Sequence, residues 1–241
     1  MLPFQIKICG ITRPNDALNA CESGADAIGL NFYAPSPRFV DTAQAQLIAQ
    51  TVDTFNDEHR DLAMIRKIGV FVNSTSVCIA ETAILHRLDG IQFHGDEQPE
   101  QLEEVRDLLT SWKSDVSFVR AVRVDKTKNE SEPSRIVNRI QAWTTIGVDA
   151  ILLDAAAPGE FGGTGEALDW TSVPRFLEFA DIILAGGLKP ENVSQAIDTS
   201  QVQSVDVASG VESEPGIKDH VKVSEFVRQA RTRISSLGKG E

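Results

Sequence analysis

The sequence predicts an α/β protein folded as a single (β/α)8 TIM barrel over residues 1–241. Short apolar runs rich in β-branched residues alternate eight times with segments of helical period, which is typical of a parallel sheet. Each strand–helix unit takes about 30 residues, which favours closure into a barrel. The competing fold is a doubly wound open sheet. It usually carries GxGxxG after its first strand, whereas this chain has CGITRP at 9–14.

Eight runs are predicted as strands, and the segments between them as helices. The strand runs are QIKIC (5–9), DAIGLNF (26–32), KIGVFVN (67–73), DGIQFH (89–94), SFVRAVRV (117–124), DAILLD (149–154), DIILAG (181–186) and SVDVAS (204–209). One predicted helix face carries Leu47, Ile48, Thr51, Val52 and Phe55, and others lie at 102–109, 136–140 and 223–234. Because no Pro/Ser-rich linker or low-complexity tract divides the chain, we expect one domain.

Composition excludes several classes of function. With 23 Lys and Arg against 35 Asp and Glu, the net charge is −12, which disfavours nucleic acid as a partner. The three cysteines and four histidines show neither a disulfide framework nor the spacing of metal ligands. No secretory leader and no run of about 20 apolar residues is present, so we expect a cytoplasmic protein without a membrane span.

Alternation along the first strand predicts which side chains enter the barrel. Gln5, Lys7 and Cys9 share one face and are expected in the lumen, while Ile6 and Ile8 face the helices. Cys9 stands at the end of its strand, on the side where barrel enzymes build their active sites.

Other strands also place polar residues toward the lumen. The same alternation assigns Gln92 and His94, Asp154 and Asp206 to it. A lumen filled only for packing uses Val, Ile and Leu, because a buried unpaired polar group costs about 1–3 kcal/mol. Several polar residues converging on one rim therefore predict an active site.

Glycine-bearing turns follow strands 7 and 8 and predict a phosphate site. Gly186 and Gly187 come directly after strand 7, and Ser209 and Gly210 directly after strand 8. Backbone N–H groups and a short helix N-terminus at these loops form the usual phosphate site of a barrel. A further glycine run, GGTG at 162–165, follows strand 6 on the same rim.

Arg38 lies in the loop SPRFV (36–40) after strand 2, behind a proline that stiffens the approach. A guanidinium holds a carboxylate with two parallel hydrogen bonds. Since this loop belongs to the catalytic rim of an acidic protein, we expect Arg38 to bind an anion.

Seven motifs together identify a family. They are KICGIT, GLNFYAPSPRFV, GVFVN, IQFHGDE, LLDA followed by GGTG, LAGGLKPENV, and VDVASGVE through GIKDH. In order and spacing this set resembles the phosphoribosylanthranilate isomerase family of tryptophan biosynthesis. The resemblance implies an aldose–ketose isomerase that converts N-(5-phosphoribosyl)anthranilate into its 1-deoxyribulose 5-phosphate isomer, an Amadori rearrangement. It implies no metal and no organic cofactor, and a small-molecule phosphosugar-anthranilate substrate.

The resemblance also implies roles for individual residues. Cys9 matches the family's general base, Asp154 its general acid, and Arg38 its clamp on the anthranilate carboxylate. The positions that match its phosphate donors are Gly186, Gly187, Ser209 and Gly210, and those that line its substrate pocket are Gln92, His94 and Asp206. We assign no chemical role to the last three.

The chemistry sets requirements on both catalytic groups. Asp154 must be protonated when it donates to the furanose ring oxygen, and a closed, partly apolar pocket favours the neutral carboxyl. Cys9 must act as a thiolate when it removes the C2′ proton. Lys7 lies two residues away on the same face, about 7 Å along the strand, and we hypothesise that its ammonium stabilises this thiolate. The stretch 125–133 lies on the same rim, and no role is predicted for it.

Two other functions are also compatible with the sequence. One is another phosphosugar isomerase or epimerase barrel, which would favour a His/Asp metal set or paired aspartates where this chain has Cys9. The other is a non-catalytic phosphate-binding barrel, which predicts a broken set of catalytic residues. The sequence does not decide between a monomer and a homodimer.

Overall fold

The computed structural model describes residues 2–111, 116–125, 133–156 and 169–237. Eight parallel strands form a closed barrel in chain order, and the last strand pairs with the first through Ile6–Val205 and Ile8–Val207. This confirms the predicted (β/α)8 barrel. The run at 162–165 and residues 126–132 of the stretch 125–133 lie outside the described residues.

The strands match the eight predicted runs, with ends that differ by no more than two residues. They are β1 (Ile6–Cys9), β2 (Ala27–Asn31), β3 (Arg66–Phe71), β4 (Gly90–Phe93), β5 (Ser117–Asp125), β6 (Ala150–Ala156), β7 (Ile182–Leu184) and β8 (Val205–Val207). A short antiparallel hairpin, β9 (Glu212–Glu214) with β10 (Ile217–Lys218), follows the barrel.

Seven α-helices cover the described part of the barrel. They are α1 (Pro14–Glu22), α2 (Thr42–Glu58), α3 (Ser76–His86), α4 (Pro99–Ser111), α5 (Pro133–Thr145), α6 (Pro190–Ser200) and α7 (His220–Leu237). Four of them begin with proline, whose fixed φ and missing N–H suit a helix start. Before β7 stands a 3-10 segment, Trp170–Phe176. Among the helices of the described residues, we find no candidate for a membrane span.

The core has two layers that follow the alternation of the strands. Outward side chains such as Ile6, Ile8 and Phe93 join one large cluster with the helices. A smaller cluster fills the lumen, where Ile68 and Leu152 pack together. The lumen therefore has an apolar part, and the polar side chains described below occupy the rest.

Two predicted positions were wrong. Gln5 precedes β1, and its Oε1 accepts a hydrogen bond from Nη1 of Arg231 on α7 at 2.8 Å, so its side chain is not in the lumen. Because Gln5 lies outside the strand, its side chain need not follow the inward–outward alternation of β1. It turns instead to the guanidinium of Arg231, which donates a hydrogen bond to it. Leu47 is 56% exposed, because the buried stripe of α2 runs through Ile48, Val52 and Phe55 and leaves position 47 beside it.

Candidate active site

A cavity opens at the carboxyl ends of the strands, where barrel enzymes build their active sites. Eight of the ten predicted site residues line it: Cys9, Arg38, His94, Asp154, Gly186, Gly187, Asp206 and Ser209. The other two do not. Gln92 is fully buried and bonded to other lumen residues. A Cβ on Gly210 would overlap the carbonyl oxygen of Leu188, so this glycine lets the loops after β7 and β8 approach each other.

Cys9 ends β1 and pairs across the ladder with Gly29 of β2. A Cβ at position 29 would lie 2.6 Å from Sγ of Cys9 and 2.9 Å from Cε of Lys7. The space that a side chain would take on β2 is thus occupied by the predicted base and its neighbour. Gly29 was not predicted as part of the site, since a glycine inside a strand indicates only that some neighbouring group approaches the backbone closely.

Charges of both signs surround the thiol. Burial raises the pKa of Cys9, and the negative charge of Asp206 raises it further. Lys7, Lys218 and Arg38 each lower that pKa, but together they do not offset the first two effects. The charge of Lys7 therefore acts in the hypothesised direction, while the free protein still holds Cys9 above the usual thiol pKa.

A chain of polar contacts crosses the lumen beneath the cavity. Nζ of Lys7 donates to Oδ2 of Asp206 at 2.9 Å and to Oε1 of Gln92 at 2.6 Å. The amide nitrogen Nε2 of Gln92 lies 2.7 Å from Nδ1 of His94. Nε2 of His94 lies 3.4 Å from Oδ2 of Asp154, which is too long for a strong hydrogen bond. Hydrogen bonds thereby connect β1, β4 and β8, and His94 brings the chain of contacts within 3.4 Å of Asp154 on β6.

Arg38 is held by a carboxylate that sequence analysis missed. Nε and Nη2 of Arg38 donate to the two carboxylate oxygens of Glu212, each at 2.8 Å, and Nζ of Lys218 donates to Oε1 at 2.9 Å. Burial alone would raise the pKa of Glu212, but the hydrogen bonds and charges of Arg38 and Lys218 lower it below its ordinary value. The PG dipeptide at 215–216 marks the turn between β9 and β10, yet it does not indicate which charges meet there.

The loop after β7 is shaped for close backbone approach. Gly186 and Gly187 have φ of 80° and 66°, in the left-handed region that favours glycine. Asn192 of α6 fixes the loop, since its Oδ1 accepts from the N–H of Lys189 at 2.8 Å and its Nδ2 donates to the carbonyl of Gly187 at 2.9 Å. Among the described residues, no acceptor is found for the N–H groups of Gly186 and Gly187. Both glycines line the cavity.

Comparison with known proteins agrees with this geometry. The profile of the N-(5'phosphoribosyl)anthranilate (PRA) isomerase family matches residues 6–229. The chain belongs to this isomerase family. An N-(5'-phosphoribosyl)anthranilate isomerase from Pseudomonas fluorescens (strain SBW25) is 42% identical over 237 residues, covering 98% of this chain and 100% of the relative. One from Acinetobacter calcoaceticus is 40% identical over 92% of this chain and 94% of its own length. The resemblance seen in the seven motifs is thus confirmed.

Solved structures of the PRA isomerase family share the barrel. The phosphoribosylanthranilate isomerase of Thermotoga maritima superposes with a TM-score of 0.76 at 33% identity, covering 95% of this chain and 99% of that one. A second structure of phosphoribosylanthranilate isomerase contains reduced 1-(o-carboxyphenylamino)-1-deoxyribulose 5-phosphate; its TM-score is 0.73 at 33% identity, with the same coverage of both chains. These matches favour the isomerase over the two alternatives that the sequence left open.

Proposed function

We propose that this protein isomerises N-(5'-phosphoribosyl)anthranilate to 1-(2-carboxyphenylamino)-1-deoxyribulose 5-phosphate by general acid–base catalysis. The observation that carries the proposal is the content of one cavity. Within the fold of the PRA isomerase family, a thiol, a carboxyl, a guanidinium and two glycine-bearing loops line a single space. A related isomerase binds the reduced form of this product.

Substrate binding is assigned to the two charged ends of the molecule. We place the phosphate at the backbone N–H groups of Gly186, Gly187 and Ser209, where a phosphate would supply the acceptors that the glycine N–H groups lack. Gly210 supports this site by letting the two loops meet. Arg38 would hold the anthranilate carboxylate. Its Nε–Nη2 edge is bonded to Glu212, and Nη1 donates to no described residue and stays open to a ligand.

The reaction then follows from Asp154. Its carboxyl donates a proton to the furanose ring oxygen, the bond between C1′ and that oxygen breaks, and the nitrogen lone pair forms the C1′=N iminium. Proton donation to the leaving oxygen avoids an alkoxide and contributes about 10²–10⁴-fold to the rate. Asp154 is left as a carboxylate beside His94.

Cys9 completes the isomerisation. The thiolate removes the proton from C2′, the C–H electrons form the C1′=C2′ double bond, and the iminium becomes neutral. Loss of the proton from O2′ and protonation of C1′ give the ketose product. Because burial holds the pKa of the Cys9 thiol above its usual value, the cationic iminium is the species that favours the thiolate when it is needed.

We propose a cytoplasmic enzyme that works as a monomer or a homodimer, with no nucleic acid or membrane partner. The T. maritima relative is described as dimeric in a structure of monomers generated from it. Sedimentation of the purified protein over a range of concentrations tests both states, and a higher oligomer would contradict the proposal.

Fluorescence of the substrate provides the test. Purified protein is mixed with freshly made phosphoribosylanthranilate in the presence of EDTA, and the loss of fluorescence is followed for wild type, Cys9→Ser and Asp154→Asn. Cys78→Ser, at an exposed cysteine of α3, is the matched control. We expect rapid decay for wild type and control, and rates at least about 100-fold lower for both site variants. A folded wild type that does not exceed the spontaneous decay would overturn the proposed function.

A further inference from the structure

The hydrogen bonds among the side chains of the lumen restrict which of their atoms can carry protons. We propose that Lys7 and Gln92 are positioning residues that hold His94 as the neutral tautomer with its proton on Nε2, beside Asp154. The catalytic consequence rests on the proposed function. The tautomer itself does not depend on the proposed function, since it is a property of the free protein and can be measured without substrate.

Lys7 fixes the orientation of the Gln92 amide. Its side chain is fully buried, and its ammonium donates to Asp206 and to Gln92. Burial by itself lowers the pKa of Lys7, but the charges of Asp206 and Cys9 and their hydrogen bonds raise it above the ordinary value. An ammonium has donors and no acceptor, so the end of the amide 2.6 Å from Nζ must be the oxygen.

The amide orientation then fixes the imidazole. With Oε1 of Gln92 directed to Lys7, the NH2 group is the end that lies 2.7 Å from Nδ1 of His94. A donor at this distance requires a free lone pair on Nδ1, so Nδ1 carries no proton. A neutral imidazole has one ring proton, which must therefore be on Nε2. A proton on Nδ1 would set an N–H against the amide N–H, so the geometry fits an imidazole whose Nδ1 is unprotonated.

This tautomer suits a neighbour of a general acid. Nε2 of His94 is buried and has no hydrogen-bond partner among the described residues, and Asp154 Oδ2 lies 3.4 Å away. Because Nε2 already carries a proton, His94 cannot take the proton of Asp154, which is kept for the substrate. After transfer, the same N–H can donate to the new carboxylate. A contact that strengthens as charge develops lowers the barrier.

Substituting Gln92 separates this role from mere packing. In Gln92→Glu the carboxylate can still accept from Lys7, but it offers no donor to His94, so the imidazole should move its proton to Nδ1 or become doubly protonated. Gln50→Glu, on the exposed side of α2, makes the same change of charge away from the lumen. Nitrogen NMR of ¹⁵N-histidine protein distinguishes the two neutral tautomers and the imidazolium, with His94→Asn used to assign the His94 signals among the four histidines.

We expect wild type and Gln50→Glu to show a protonated Nε2 and an unprotonated Nδ1, and Gln92→Glu to lose this pattern. With phosphoribosylanthranilate, we expect kcat of Gln92→Glu to fall about 10- to 100-fold with KM little changed, within what a general acid contributes. A wild-type His94 protonated on Nδ1, an unchanged tautomer in Gln92→Glu, or an altered tautomer with unchanged kcat would overturn the inference. The wild-type spectrum tests it even if Gln92→Glu does not fold. An expected spectrum in a protein that does not turn over the substrate would instead overturn the proposed function alone.

Discussion

The charge of Asp206 raises the pKa of the Cys9 thiol and the charges of three cations lower it, so single substitutions should move this pKa in opposite directions. Asp206→Asn removes a charge that raises this pKa and should lower it. Lys7→Met removes a charge that lowers it and should raise it. We would follow thiolate absorbance against pH in a Cys78→Ser background. Because burial raises the pKa of Cys21 as well, to about 12, Cys21→Ser is added to this background so that Cys9 is the thiol that is followed.

An unchanged titration of Cys9 in Lys7→Met would rule out the stabilising role of that ammonium. Because the base acts when it is deprotonated, the acid limb of the pH–rate profile should follow the pKa of Cys9. The acid limb of kcat/KM should lie at higher pH than for an ordinary thiol, and it should move down in Asp206→Asn. An acid limb of kcat/KM whose midpoint does not follow the titrated pKa of Cys9 would contradict the proposal that Cys9 is the general base.

Two barrel glycines offer a second test at the scale of single residues. A Cβ on Gly29 would contact Cys9 and Lys7, whereas a Cβ on Gly69 of β3 would lie 2.5 Å from Cδ1 of Leu88, in the helix-side layer. Each alanine substitution should cost about 1–3 kcal/mol of unfolding free energy through overpacking. Only Gly29→Ala should also lower kcat, by about 100-fold, because it displaces a catalytic group. Equal losses of kcat would contradict this placement.

At the scale of elements, the hairpin of β9 and β10 supports the loop after β2. Glu212 of β9 accepts two hydrogen bonds from Arg38 and one from Lys218 of β10, so the hairpin holds Arg38 through this carboxylate. The barrel strands were predictable from sequence because buried parallel strands read as apolar runs. This hairpin was not, since ESE and IK carry too few apolar residues to indicate strands, and a charged residue does not identify its partner.

Glu212→Gln should therefore affect both binding and acid stability. The lowered pKa of Glu212 means that its contribution to stability is present above the unfolded value, 4.5, and is lost as pH falls through the folded one. At pH 7 we expect Glu212→Gln to lose about 2 kcal/mol of unfolding free energy relative to wild type, measured by urea denaturation. This difference should narrow below about pH 4.5. KM for the substrate should rise as Arg38 loses its support. Glu225→Gln removes an exposed ion pair on α7 and should leave the unfolding free energy and KM nearly unchanged. A stability difference between Glu212→Gln and wild type that does not vary with pH would contradict this role of the Glu212 carboxylate.

At the scale of the whole molecule, closure of the barrel explains why much of the site was predictable. Residues far apart in sequence meet because every strand ends on the same rim, so alternation plus topology places Cys9, His94 and Asp154 around one cavity. The contacts among them were not predictable. Which oxygen accepts from Lys7, and which nitrogen faces Gln92, depends on distances that period and composition do not contain.

The pairing of β8 with β1 also has a consequence for synthesis of the chain. Lys7 and Asp206 are 199 residues apart, so the ribosome must release the chain beyond Asp206 before the buried ammonium can pair with its counter-charge. Until then, burial of Lys7 in a seven-stranded sheet is strongly disfavoured. The nascent chain thus cannot complete its lumen early. The cavity therefore forms when β8 is added to the sheet. A chain that ends before β8 has no closed barrel, and its Lys7 ammonium has no Asp206 to pair with.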